Sequence, residues 1–171
     1  MVRINYLRQA INFTVFVLIQ IAFLNKSVLF NQAFAFFYVG FLLFIPFGVS
    51  RSFSMIIAFF VGLIIDVFSS TPGIHASACV LTVFIKDYWF LASVGDPEDE
   101  INLGFDNVSL WGLLKYALPL IWVHHIMLFI IENGGFISFG SVFVKSTLSA
   151  LYSLVLIISI SYLVAPKTQR K

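Results

Sequence analysis

The chain has 171 residues, of which 60% are hydrophobic and only 11% are charged, and its mean hydropathy is +1.00. Soluble domains carry about 25% charged residues, so this composition excludes a water-soluble globular domain. The formal net charge of +2 is too small and too dispersed for nucleic-acid binding, which needs a basic stripe that contacts phosphates. The lipid bilayer is therefore the predicted surrounding of most of the chain.

Long apolar runs interrupted by polar breaks predict a set of transmembrane helices. A spanning helix needs about 20 apolar residues to cross about 30 Å of hydrocarbon. The first run ends before Lys26 without a cleavage motif, which predicts a retained helix and not a signal peptide. The second run is too long for one helix, and Pro46, Gly48 and Arg51 predict that it is divided. We predict an all-α polytopic helix bundle that forms a single membrane domain over residues 1–171. Six transmembrane helices are expected, with five as the alternative, at residues 7–24, 33–47, 53–68, 74–91, 110–131 and 143–164.

The basic residues predict the orientation of this bundle. In the six-span arrangement, eight Lys and Arg residues fall on one side and two on the other. Because cytoplasmic loops carry the excess of Lys and Arg, both termini are predicted to be cytoplasmic. The turns around Lys26, Pro72 and Gly134 are then predicted to face outward. The majority side comprises Arg3, Arg8, Arg51, Lys86, Lys115, Lys167, Arg170 and Lys171, and the minority side comprises Lys26 and Lys145.

The segment 93–109 is polar and acidic, unlike the rest of the chain. Such a composition is typical of a solvated loop, although a basic partner or a cation is an alternative ligand for its carboxylates. Its spacing does not match an EF-hand. We therefore predict an acidic cytoplasmic loop.

Asp66 is the most informative polar residue, because it lies near the end of an apolar run. A charged group costs at least about 2.5 kcal/mol at the bilayer centre, and less near an interface. It therefore needs a partner. Three roles are open: capping of the fourth helix through the turn at 69–73, proton or ion binding, and contact with a partner protein. Gly62 lies one helical turn earlier on the same face and would allow another helix to approach.

No other pattern indicates an enzyme or a metal site. His124 and His125 are adjacent, so they point about 100° apart on a helix and cannot form the usual i, i+4 metal pair. His75 would join them only through tertiary folding. The sequence contains no nucleophile elbow, no phosphate-binding glycine loop and no HExxH motif. We predict a non-enzymatic protein without catalytic residues, cofactor or metal.

The stretch from Gly62 through Asp66, Pro72, Gly73 and His75 to Ala76 resembles the most recognisable part of the bacterial rod shape-determining protein MreD family. The specific similarity covers about 15 residues, and the rest of the chain agrees in length and hydropathy. The acidic loop and the high Phe content depart from the family pattern.

The resemblance implies a subunit of the cell-elongation machinery in the bacterial cytoplasmic (inner) membrane. Members of the family pair with the single-span protein MreC and help to link the MreB filament to peptidoglycan synthases. The residues carried over are Gly62, Asp66, Pro72, Gly73 and Ala76, whose implied role is to fix the hairpin between the third and fourth helices. His75 lies within the same stretch and is a further structural or partner-binding candidate.

Two other classes of membrane protein remain as alternatives. A substrate-binding subunit of a vitamin-uptake transporter of the energy-coupling-factor type would use a midplane pocket lined by polar groups such as Asp66, His75, His124 and Asn133. An ion channel or proton pathway would need acids on more than one helix. The sequence supplies few inward polar positions for either class.

Overall fold

A computed structural model describes residues 6–47, 49–93, 110–135 and 139–164. The predicted acidic loop, apart from Ser93, and the residues near both chain ends lie outside these ranges. Within them, five helices are long and apolar enough to cross a membrane. The chain is thus an all-α polytopic bundle and a multi-pass membrane protein, as predicted.

The elements follow one another as helices joined by short connections. Their bounds are α1 Tyr6–Ile19, continued by a π-helical turn at Gln20–Leu24; a hairpin of β1 Val28–Leu29 and β2 Ala33–Phe34; and α2 Val39–Leu43, α3 Arg51–Ser69, α4 Ile74–Ser93, α5 Leu110–Glu132 and α6 Phe139–Val164. Helices α3 to α6 each pack on the next, while α2 packs against α1, α4 and α5. The long helices coincide with five of the six predicted spans. Pro119 lies inside α5 without ending it.

The second predicted span, residues 33–47, is not a transmembrane helix, and this part of the prediction was wrong. Its first residues pair in the hairpin, and its only helix has five residues. We call residues 33–47 the crossing segment. All five residues of α2 are buried inside the bundle. Hydropathy indicated an apolar crossing, but it does not distinguish a lipid-facing helix from a strand-like segment enclosed by other helices.

The crossing segment still carries the chain from one end of the bundle to the other. We call the end that contains the α3–α4 turn, residues 70–73, the turn end. Asn25, which follows α1, donates to the carbonyl of Phe68 at 3.2 Å and accepts from the Ser69 hydroxyl at 3.1 Å. The chain therefore leaves α1 at the turn end, yet α3 begins at the opposite end, 19 residues or about 28 Å away.

Aromatic packing holds the crossing segment against α1. The rings of Phe16 and Phe37 stack with centroids 4.4 Å apart, and Phe13 meets Phe41 edge to face at 5.5 Å. Gly40 lies so close to α1 that a Cβ atom there would be 2.3 Å from the ring of Phe16. A side chain at this position would separate the segment from α1.

Candidate functional site

The α3–α4 turn is organised around the buried carboxylate of Asp66, which is 3% exposed. Its Oδ1 accepts hydrogen bonds from the Thr71 hydroxyl at 2.9 Å and from the His75 amide at 3.0 Å. Its Oδ2 accepts from the Ala76 amide at 3.0 Å. Amides at the start of a helix have no partner within that helix, so Asp66 satisfies two of them and caps α4. This is the first of the three roles considered from the sequence.

Gly62 brings α4 into contact with the α3 backbone one turn before Asp66. A Cβ atom at Gly62 would lie 2.4 Å from the Cα of Ala76 and 2.7 Å from the carbonyl carbon of His75. Real Cβ atoms essentially never approach other atoms so closely. The predicted close approach at Gly62 is therefore present, and it places the first amides of α4 within reach of the carboxylate.

The turn itself depends on two residues with left-handed backbone. Ser70 has φ of 57° and Gly73 has φ of 81°. The carbonyl of Asp66 accepts from the amide of Thr71 at 3.1 Å, which closes the end of α3. Pro72 lies between these residues in the turn. Gly73 avoids the steric cost that a side chain would meet at positive φ.

Below the turn, the hydroxyl of Tyr38 joins the crossing segment to two helices. It lies 2.7 Å from Nδ1 of His75 on α4 and 2.9 Å from Nε2 of His124 on α5. A phenol has one proton, so it donates to one imidazole and accepts from the other. The Sγ of Cys79 lies 4.0 Å from the same His124 nitrogen. Tyr38, Cys79 and His124 are fully buried and His75 is 4% exposed.

His125, next to His124 on α5, has different partners because adjacent residues of a helix point about 100° apart. His125 Nδ1 lies 2.6 Å from the Ile121 carbonyl, and its Nε2 lies 3.1 Å from the Ser153 hydroxyl on α6. The ring of Phe36 packs between His75 and His125. Its centroid lies 5.3 Å from the centroid of the His75 ring and 5.1 Å from that of the His125 ring. In the part of the chain that the structure describes, no three His, Cys, Asp or Glu side chains converge to hold a metal ion.

At the opposite end of the bundle, Lys86 and Tyr116 bind the end of the crossing segment. Lys86 Nζ donates to the Ile45 carbonyl at 2.6 Å and lies 3.7 Å from the carboxylate of Asp87. The Tyr116 hydroxyl donates to the Leu43 carbonyl at 3.1 Å. Lys86 is only 1% exposed. This member of the basic set that was counted for the orientation is therefore enclosed by the protein.

Comparisons of the chain with models of protein families, with curated proteins and with solved structures found no match.

The candidate residues from the sequence divide into those that the structure brings together and those that it separates. Gly62, Asp66, His75 and Ala76 are in direct contact, with Pro72 and Gly73 in the connecting turn. His124 is linked to His75 through Tyr38. Asn133, which the carrier alternative would use as a pocket residue, is exposed at the end of α5.

Sequence reasoning missed the residues that hold the crossing segment. Gln20 Nε2 donates to the Ala35 carbonyl at 2.9 Å, and its Oε1 accepts from the Phe37 amide at 2.6 Å. The hydroxyls of Ser149 and Ser153 accept from the amides of Phe34 and Phe36, each at 2.9 Å. The available signal was a glutamine in the first apolar run and serines at i, i+4 in the last, on one helical face.

Proposed function

We propose that this chain is a non-enzymatic membrane subunit of the bacterial cell-elongation complex, of the MreD type, in the cytoplasmic membrane. It pairs there with an MreC-like single-span protein and acts as a scaffold for peptidoglycan synthesis. The MreB filament and the cell-wall synthases are further partners, bound directly or indirectly.

One observation carries the proposal: the residues on which the family resemblance depends belong to one structural unit. Gly62 allows the helices to touch, Asp66 caps α4 at His75 and Ala76, and Gly73 supplies the positive φ of the turn. A resemblance confined to scattered lipid-facing positions would have had no such common role. The shared use of these residues supports a family relationship in which the α3–α4 hairpin is the essential feature.

The engagement of the polar groups favours a scaffold over a carrier. Asp66 accepts three hydrogen bonds from its own chain, and His75 and His124 both meet the hydroxyl of Tyr38. Residues of the crossing segment are buried inside the bundle, where a carrier would hold its substrate. A ligand would have to displace that segment and then replace its hydrogen bonds, which is costly for buried polar groups.

Co-purification tests the proposal directly. The tagged chain is expressed at native level in its own cells, solubilised gently and analysed with its partners by mass spectrometry. Recovery of an MreC-like protein together with cell-wall synthases is the expected result. Recovery of transporter ATPase subunits in their place would overturn the proposal and favour the carrier.

Substitution of Asp66 tests whether this assembly depends on the α3–α4 hairpin. Asp66→Ala leaves the two α4 amides and the Thr71 hydroxyl without their acceptor, so a severalfold loss of the MreC-like partner and rounded cells are expected. Asp66→Asn keeps one acceptor oxygen and should be intermediate. Glu132→Ala, at an exposed position at the end of α5, is the matched control. Normal rod shape with Asp66→Ala at wild-type protein level would exclude a role for this carboxylate.

A further inference from the structure

The tip of the β1–β2 hairpin has a backbone conformation that does not suit its sequence. The Gln32 amide donates to the Leu29 carbonyl at 3.1 Å, and the two residues between them, Phe30 and Asn31, have φ of 52° and 58°. Positive φ at both central positions is the requirement of a type I′ turn, which favours Asn and Gly. Asn31 fits this preference, but a bulky residue such as Phe30 is an outlier there. The free-energy cost of positive φ at Phe30 must be offset by another interaction, and the Phe30 ring is the group that can supply it.

The ring of Phe30 is also the most exposed of the large apolar side chains in the described part of the chain. It is 87% exposed, and its strand neighbours Val28 and Leu29 are 40% and 43% exposed. In water such a tip would be unfavourable, because exposed apolar area costs free energy in proportion to its size. The turn could have used a polar residue without changing its backbone.

The hairpin lies at the boundary of the membrane-spanning helices. Asn25 binds Phe68 and Ser69 at the end of α3, and the ring of Phe34 in β2 lies 5.6 Å from the ring of Phe129, one turn before the end of α5. Phe30 directly follows β1, and β1 pairs with β2, so the hairpin tip stays near this boundary. Phe23 and Val67, at the same end of the bundle, are 78% and 70% exposed on lipid-facing helices.

From these observations we infer that Phe30 inserts into the bilayer interface and anchors the hairpin to the lipid at the turn end. Aromatic rings are enriched at this depth, where an apolar body adjoins polar headgroups. Phe23 and Val67 supply exposed apolar side chains at the same end of the bundle, and Asn31 and Gln32 are the polar residues of the tip. The anchor fixes the depth at which the crossing segment enters the bundle, since that segment begins with β2.

Depth-dependent quenching in liposomes tests the inference without any partner protein. In a Cys79→Ala background, which removes the single native cysteine, Phe30→Cys and Asn31→Cys are each labelled with an environment-sensitive fluorophore. The probes are lipids brominated near the head of the acyl chain and, separately, aqueous iodide. The probe at 30 is expected to lose about half of its emission to brominated lipid, as an interfacial aromatic position should, and to lose little to iodide.

The probe at position 31, in the same turn, is the matched control for the probe at position 30. The probe at 31 is expected to respond less to brominated lipid and more to iodide. Strong iodide quenching at 30, or equal lipid quenching at the two positions, would overturn the role of Phe30. If the labelled variants do not fold, the wild-type chain is irradiated with lipids that carry a photoreactive group near the headgroup. Crosslinking that maps to Phe30 supports the anchor, and its absence from the hairpin peptide overturns it.

Discussion

At the scale of single residues, Asp66 shows how an acid is retained near the end of a membrane helix. The carboxylate is buried, but three donors from the following turn and helix surround it. Hydrogen bonds to a charged acceptor contribute about 1.5–3 kcal/mol each. This offsets the cost of burying the charge near a membrane boundary, which is about 2.5 kcal/mol or less. The sequence predicted the cap because an acid preceded a turn and a second apolar run, although it left two other roles open.

Gly62→Ala should destabilise the bundle because the new Cβ would collide with backbone atoms that cannot move independently. The nearest is the Cα of Ala76 at 2.4 Å. Overpacking of this kind costs about 1–3 kcal/mol, and a lower thermal unfolding temperature in detergent would measure it. Gly140→Ala is the control, because nothing lies within 4 Å of the Cβ position there. Equal unfolding temperatures for the two variants would contradict the tight contact.

At the scale of elements, the crossing segment explains why polar residues occur in otherwise apolar helices. Non-helical backbone at membrane depth is tolerated only where protein or water encloses it. Here the surrounding helices supply side chains that bind the amides or carbonyls of the crossing segment. These side chains are Gln20 on the π-helical turn after α1, Lys86 on α4, Tyr116 on α5, and Ser149 and Ser153 on α6.

Gln20→Leu should be among the most damaging substitutions in α1 and its π-helical extension, although the two side chains are similar in size. The glutamine is fully buried and satisfies the Ala35 carbonyl and the Phe37 amide. Leaving both unpaired should cost about 2–5 kcal/mol, measured as loss of folded protein on size-exclusion chromatography and a lower unfolding temperature. Thr14→Val on the same helix removes only an exposed bond to Ala10 and should be nearly neutral. Wild-type stability of Gln20→Leu would show that the segment does not depend on this side chain.

Tyr38→Phe should loosen the contact between the crossing segment and α4 while keeping the ring in place. Both histidine nitrogens lose their shared partner. A loss of about 1.4 kcal/mol in local stability corresponds to about tenfold faster modification of the buried thiol of Cys79. The rate of reaction with a small thiol reagent measures this. Tyr152→Phe, which removes a partly buried bond to Ser27, should leave that rate unchanged, and equal rates for both variants would argue against the network.

At the scale of the whole molecule, the described part of the chain contains five helices long enough to span a membrane and one crossing segment, which together give six passages through the bundle. Helix α1 ends and α6 begins at the turn end, because α1 meets the end of α3 and α5 leads into α6 there. The described chain therefore starts and finishes at the opposite end. A count of helices alone would have placed the two ends of the chain on opposite sides.

Reporter fusions should place both ends of the chain in the cytoplasm. Green fluorescent protein joined to either end should fluoresce, and alkaline phosphatase joined to either end should be inactive. A phosphatase inserted after Asn31 should be active, because the hairpin tip lies at the turn end. Opposite behaviour of the two termini would contradict six passages, and inversion of all three reporters would contradict only the orientation.

Composition and hydropathy by themselves determined the membrane environment and the positions of five helices, and an acid near the end of an apolar run predicted the cap that Asp66 forms. These properties depend on local chemistry: apolar length, turn residues, and an acid beside a helix start. Only the tertiary structure decided that residues 33–47 cross without forming a spanning helix, and that Tyr38 joins His75 to His124. The reason is that backbone groups of the segment are satisfied by Gln20, Ser149 and Ser153, which are distant in the sequence. Local sequence patterns do not identify such partners, because a glutamine or serine in an apolar helix shows no preference for a particular distant segment before the chain folds.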